Sequence, residues 1–311
     1  MTVVERNQAA LVRQTDYVVR SLRDRDQIRT LLEARRPYAA YALGQLDPVL
    51  FRQTQWWTAE HGDTAQHDTA QHGASALALH SYGGLGNATF VMGEASALDA
   101  LLQLHPGPRH AFLTCEVHHV DTVDRYFELE HRQTMIRMQA TPDNFKQSGG
   151  EAERLVGRDV REINALYRSD GVPSYYTPRQ IDESVYFGVR CDGRLVAIAG
   201  THVISPGSGI AVVGNVYTHP RHRGQRLAQV TTSAVTELLL RTCREVVLSV
   251  DPTNTPAVRA YERLGYREVA RLIEGAAVRR DVLGASTAIR RMFARLRGRS
   301  VGAEIARVRA T

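Results

Sequence analysis

A chain of 311 residues with 43% hydrophobic and 23% charged residues has room for two domains and too much apolar content for global disorder. Its three cysteines, Cys115, Cys191 and Cys243, are too few and too scattered for a disulfide framework and have no zinc spacing, which suits a reducing cytoplasmic setting without a metal. The net charge of +6 sits mainly at the end of the chain, where residues 281–311 carry +5, so the body is not a basic nucleic-acid-binding domain. No apolar run reaches the ~20 residues that span a bilayer, and the N-terminal stretch has no apolar h-region of a secretory signal.

In chain order, Tyr17–Leu22 reads as a strand and Asp24–Ala34 as an amphipathic helix, broken at Arg36-Pro37. Gln53–Ala59 reads as a strand, followed by the pentapeptide DTAQH written twice over 63–72, read as a mobile hairpin tip. Its His67 and His72 have no third ligand nearby in sequence, so a solvated loop is preferred to a metal site. Strands at Ala76–His80 and Ala88–Met92, a helix at Ala95–Leu104, a strand at Ala111–Val117, a helix at Asp121–Leu129 and a strand at Thr134–Met138 follow. The polar turn-former run from Thr141 to Gly150 marks a domain boundary.

The second half begins again in the same style. Arg154–Val156 reads as a strand, Asp159 caps a helix to about Ser169, and Thr177-Pro178 opens a short helix. A hairpin over Val185–Arg190 and Leu195–His202 turns at Asp192-Gly193. Then come a strand at Ala211–Thr218, a long helix at Leu227–Cys243, a strand at Glu245–Asp251, a helix at Thr255–Leu264 ended by Gly265, and strands at Arg267–Leu272 and Ala276–Arg280. Shifted by 135 residues, the two halves align without gaps near their ends, Val258 on Val123, Tyr261 on Tyr126 and Leu264 on Leu129. Duplication is the better reading, with the first half a degenerate copy and an unrelated α+β domain as the alternative. Beyond Arg280, Ile289, Met292, Phe293 and Leu296 recur at helical spacing among arginines, an amphipathic basic helix that docks on the body or on a partner subunit, leaving a homodimer open. Membrane or nucleic-acid binding by that tail is the weaker reading.

The chemistry concentrates at Val216–Ala228, where a strand stops, Pro220 turns the chain and a long helix begins. Free N–H groups at a helix start, a glycine (Gly224) that admits close approach, and Arg221 and Arg223 make an anion cradle suited to a pyrophosphate. An ordinary strand–helix turn with surface arginines fits the same pattern. The stretch resembles motif A of the GNAT acyltransferase superfamily, Arg/Gln-x-x-Gly-x-Gly/Ala, with Arg223 first and Ala228 last but Arg226 where the family has Gly. Asn254 through Gly265-Tyr266 resembles motif B, and the likeness covers about residues 150–280. If Arg226 falls in the first helical turn, its φ is near −60° and the side chain is tolerated, which is the preferred case; a required positive φ would cost ~1–2 kcal/mol.

The resemblance implies an α+β fold of two GNAT-like domains, 1–145 degenerate and 150–280 catalytic, with 281–311 a helical tail. Each domain is a twisted, mostly antiparallel sheet flanked by helices, an arrangement like that of mycothiol-synthase-like tandem acyltransferases. It implies acetyl-CoA as co-substrate, held by Asn215, Val216 and Tyr217 along the strand and by Arg221, Arg223, Gly224, Gln225, Arg226, Leu227 and Ala228 at the diphosphate. Asn254 and Ala257 lie by the pantetheine, and Tyr261 becomes the candidate general acid for transfer to a small-molecule amine or peptide N-terminus. By residue pattern alone, Tyr261 between Val258 and Leu264 also reads as core. Glu183, His202, His219 and Asp251 are candidate bases, and a non-catalytic acyl-CoA-binding module is the competing function.

Overall fold

The computed structural model describes residues 16–62, 74–83, 86–171, 174–281, 284–297 and 306–309. The DTAQH duplication lies outside the described residues. The chain opens with β1 (Asp16–Leu22) and α1 (Arg25–Glu33), whose N-cap Asp24 accepts from the amides of Asp26 and Gln27. Two short helices, α2 (Ala40–Gly44) and α3 (Pro48–Phe51), lead into β2 (Thr54–His61), β3 (Ala76–Tyr82) and β4 (Asn87–Gly93). Next come α4 (Ala95–Leu104), β5 (His110–Glu116), α5 (Val120–Tyr126) and β6 (Phe127–Ala140).

The second half repeats this order with β7 (Glu153–Arg154), α6 (Val160–Arg168), α7 (Pro178–Asp182), β8 (Phe187–Cys191), β9 (Arg194–Ser205) and β10 (Ile210–Thr218). It continues with α8 (Leu227–Leu240), β11 (Glu245–Val250), α9 (Thr255–Arg263) and β12 (Arg267–Arg279); α10 (Ala285–Arg297) and β13 (Ala306–Arg309) end the described chain.

The thirteen strands of the described residues form one sheet, ordered β13-β1-β2-β3-β4-β5-β12-β6-β11-β10-β9-β8-β7. Every neighbouring pair is antiparallel except β4–β5 and β10–β11. The order is mirror-like about its centre, and there the halves trade their last long strands. β12 lies against β5 of the first half, β6 lies against β11 of the second, and β6 and β12 pair with each other from Phe127↔Arg279 to Gln139↔Arg267. The fold is therefore α+β, two equivalent sheet-and-helix units joined into one sheet by strand exchange.

That exchange explains where the sequence pattern differs from the structure. A helix through Leu129 was expected, but the strand starts at Phe127, fully buried and paired with Arg279. The two expected strands at the end of the second half are one strand, irregular in register near Glu268–Ala270 and Glu274–Ala276. Nothing in the local pattern announces β13, which pairs antiparallel with β1.

The helices of the first half cover strands of the second. Ile28, Leu32, Tyr38 and Leu43 share one core with Ile210, Val212, Val247 and Leu272. On the opposite face Val235, Leu239, Tyr261 and Leu264 pack on Ile136, Met138, Val246 and Leu248. The tail helix docks on the body through Ala294 and through Arg291, whose Nε donates to the Leu104 carbonyl at 2.5 Å. Ile289, Met292 and Phe293 stay about half exposed. No helix among the described residues is long and apolar enough to cross a membrane.

Candidate functional site

β10 starts as an ordinary inner strand. Ile210–Val213 pair in parallel with Glu245–Leu248, and beyond Val213 the β11 ladder stops. On the other side, β10 pairs Gly214 with Gly200 and Tyr217 with Ile198, so three steps on β10 match two on β9. The surplus is a bulge at Asn215-Val216, with Asn215 at φ +54°. A bulge bends its strand, and here it turns β10 away from β11. The backbone of Gly214–Thr218 is left without a ladder partner on the β11 side, which opens a wedge between the two strands.

The loop into α8 begins with a turn at Pro220–His222, where the His219 ring accepts from the Arg221 amide at 3.2 Å. Gly224 has φ +80°, and a Cβ built there would meet nothing within 4 Å, so the space in front of it is free. The first intrahelical bond runs from the Val230 amide to the Arg226 carbonyl. No side chain caps α8, and the amides of Leu227, Ala228 and Gln229 have no partner among the described residues. These N–H groups and the positive end of the helix dipole form an anion cradle that suits a diphosphate.

Two expectations at this loop need correction. Arg226 is the N-cap of α8 at φ +61°, ψ 15°, not a first-turn residue at φ near −60°. The chain must enter the helix through a left-handed step, which explains the family preference for glycine there and leaves Arg226 in the costlier of the two cases. The Arg223 guanidinium does not face the cradle: it pairs with Asp170 at 2.7 Å, donates to the Thr218 carbonyl at 3.3 Å and lies 6.0 Å from the centre of the Tyr217 ring. Arg221, Gln225 and Arg226 are exposed and have no ion pair among the described residues.

Asn254 caps α9, its side chain accepting from the Ala257 amide at 3.3 Å. One turn on, Tyr261 is 6% exposed and packs 6.1 Å from the Tyr266 ring. Burial pushes its hydroxyl up to about 12, and the hydroxyl makes no hydrogen bond among the described residues. Tyr261 is thus both a core side chain and a protonated, uncommitted O–H.

The candidate bases separate by geometry. Glu183 is exposed and paired with Arg179 at 2.6 Å. Asp251 is held below the usual carboxylate range by the Thr253 hydroxyl and amide, both at 2.7 Å. His219 is used in its own turn. His202 sits beneath the bulge, its Nε2 3.0 Å from Asn215 Oδ1 and its Nδ1 2.6 Å from the Tyr41 hydroxyl, with burial holding it below the usual imidazole range. Around Asn215 stand four tyrosines, 167, 176, 186 and 217, with neighbouring ring centres 5.4–6.1 Å apart. Tyr175 is exposed and takes no part. Tyr41, Tyr167 and the buried Arg137 escaped the sequence reading. The one available signal was Gly200 and Gly214, glycines inside strands, which mark a close approach.

The first half keeps an uncapped helix start at Glu94, but it has lost the loop, the bulge and the free hydroxyl. The 135-residue shift superposes α1 on α6 and β5 on β11 but fails between them, so the counterpart of the cradle loop is found from the order of elements and not from the shift. It is the single residue Glu94 between β4 and α4. β4 has no bulge in its pairing with β3. Its last carbonyls are taken by side chains, Val91 by the Tyr38 hydroxyl at 2.6 Å and Gly93 by His119 Nε2 at 2.7 Å. Tyr126, the counterpart of Tyr261, spends its hydroxyl on Asp99 at 2.6 Å. Glu116, His118 and His119 cluster here, but Glu116 pairs with Arg35 and both His119 nitrogens are engaged.

A parallel strand pair that parts beside an uncapped helix start, with a bulge at the parting, sets the second half apart from the first. Residues 158–266 match the family model "Acetyltransferase (GNAT) family". The chain is similar to a GCN5-related N-acetyltransferase from Sphaerobacter thermophilus, with 16% identity and a TM-score of 0.54 over 85% of this chain and 95% of that one. It is similar to a Drosophila protein at 15% identity and a TM-score of 0.56, covering 83% and 98%. Both likenesses extend the fold across the two halves. A tandem GNAT protein from the clavulanic acid biosynthesis pathway is similar at 12% identity and a TM-score of 0.47, covering 85% and 98%. No curated protein matches the chain.

Proposed function

We propose that the second half transfers an acetyl group directly from acetyl-CoA to a primary amine, a small molecule or a peptide N-terminus, in the cytoplasm. The observation that carries this reading is the bulge at Asn215, where β10 parts from β11, in the same strand–loop–helix as the unpaired amides of Leu227, Ala228 and Gln229. Residues 1–145 form the degenerate unit, 150–280 the catalytic unit and 281–311 the tail. The edge of Asn215–Tyr217 that has no β11 partner bonds the pantetheine arm, the amides from Arg223 to Ala228 hold the diphosphate, and Asn254 and Ala257 line the pantetheine. Arg221 and Arg226 add charge at the rim.

An N–H of the bulge takes the negative charge that develops on the thioester oxygen as the amine attacks. Tyr261, neutral well above physiological pH because burial pushes it to about 12, gives its proton to the departing sulfur. Proton removal from the amine falls to solvent, since the side chains nearest the wedge are already committed.

Incubation with acetyl-CoA and a panel of amines, following free thiol, tests the reading. Thiol release dependent on amine is expected. Coenzyme A binding by calorimetry without release under any acceptor would instead favour a non-catalytic acyl-CoA-binding module. In an active preparation, Tyr261→Phe lowers kcat at least tenfold while coenzyme A affinity survives; an unchanged kcat removes Tyr261 from the mechanism.

A further inference from the structure

Asn215 is the residue on which the bulge turns, and it holds a left-handed φ of +54°, a conformation that asparagine takes more readily than most side chains but that glycine takes at no cost. Three hydrogen bonds fix it in that conformation. His202 Nε2 is 3.0 Å from Asn215 Oδ1, Asn215 Nδ2 donates to the Tyr186 hydroxyl at 2.8 Å, and the Tyr167 hydroxyl donates to the Asn215 carbonyl at 2.6 Å. The rings that hold it are themselves seated on glycine. A Cβ at Gly214 would stand 2.3 Å from His202, and one at Gly200 would stand 2.1 Å from Tyr186.

Behind His202 is Tyr41, on α2 of the first half, with its hydroxyl 2.6 Å from Nδ1. Tyr41 is in turn backed by the fully buried Arg137, whose guanidinium lies 5.1 Å from the Tyr41 ring centre and donates to Ser249 Oγ at 2.7 Å. One tautomer satisfies the chain: Tyr41 O–H donates to Nδ1, and Nε2–H donates to Asn215 Oδ1. Both ring nitrogens are then occupied, so His202 has no lone pair left to accept a proton from an amine. Its place suits a strut, not a base.

We propose that Tyr41 and His202 are positioning residues that hold Asn215 in its bulge, so that the first half completes the acyl-donor slot of the second. This rests on the reading of β10 as the strand that meets the acyl donor. The degenerate half thereby acquires a defined role, because its Tyr41 sets the backbone of a site to which it adds no reacting group.

A double-mutant cycle tests it. Glycine adopts the left-handed conformation without support, so Asn215→Gly uncouples the bulge from its struts. Tyr41→Phe is expected to lower kcat about tenfold or more in the native background, because a misplaced donor costs that much. In the Asn215→Gly background the same change is expected to cost less than about twofold, since the strut has nothing left to hold. An equal loss in both backgrounds, or no loss in the native one, overturns the proposal. A readout free of catalysis is the imidazole 15N spectrum of the native protein, where His202 is expected as the Nε2–H tautomer. A Nδ1–H tautomer or an imidazolium at neutral pH overturns the strut. Coenzyme A calorimetry on the native protein separates the two readings: absent binding defeats the acyl-donor assignment, and the tautomer then decides the strut by itself.

Discussion

Arg226 places a side chain at a left-handed step that favours glycine. The entry into α8 requires a positive φ, which a side chain meets at a cost of ~1–2 kcal/mol. Arg226→Gly is expected to stabilise the protein by about 0.5–1 kcal/mol, the strain relieved minus the greater freedom of glycine in the unfolded chain. Urea denaturation checks this; a destabilised variant would mean that the Arg226 side chain contributes contacts worth more than the strain. A second residue-scale effect is His80, buried between Thr89 and the His105 carbonyl and lowered to about 4 by burial. Its folded value lies below its unfolded value of 6.5, so the unfolded chain takes up the proton first. The stability this provides is complete above pH 6.5 and is lost as pH falls through 4, up to about 3 kcal/mol. His80→Gln should flatten the stability curve across that window in denaturant titrations; an unaltered slope would assign the acid loss to other groups.

At the scale of elements, most helices and strands were legible because their periodicity and caps are local. Asp24, Thr177 and Asn254 cap the helices that follow them, and Ala95–Leu104 is helical over the span its pattern predicts. The long strands β6 and β12 were read short or broken because their residues answer to cross-strand partners over a hundred residues away. The tail helix depends on a local lock: Asp281 accepts from the Thr287 hydroxyl and amide, which holds its carboxyl down at about 2. Its folded value is below the ordinary one, so the stability it gives is present above pH 3.8 and lost as pH falls through about 2. Asp281→Ala is expected to loosen α10 at neutral pH, seen as faster tryptic cleavage at Arg290 and Arg291 with the body intact. Unchanged cleavage would locate the hold in Ala294 and Arg291 instead.

For the whole molecule, strand exchange makes the halves interdependent. β12 takes both of its neighbours, β5 and β6, from the first half, and Ile136 and Met138 of β6 are buried in the core under α8 and α9. Losing side chains of that kind costs ~2–5 kcal/mol each, comparable with the ~5–15 kcal/mol that stabilises a whole domain. A fragment of residues 150–280, which contains every residue of the proposed donor site, is therefore expected to show no cooperative melt, while the full chain unfolds in one transition. Calorimetry of both decides it, and a native-like melt of the fragment would refute the interdependence.

The amino-acid order alone determined the strand–loop–helix at 216–228, the likeness to motif B, the capped helices and the internal likeness of the halves. Those signals are backbone conformations and helix starts set by residues next to one another. Only the tertiary structure decided that the final strands are traded, that Arg226 takes the left-handed step, and that Tyr41 reaches Asn215 through His202. These depend on contacts between segments distant in the chain, and a contact of that kind leaves no periodic trace in either segment.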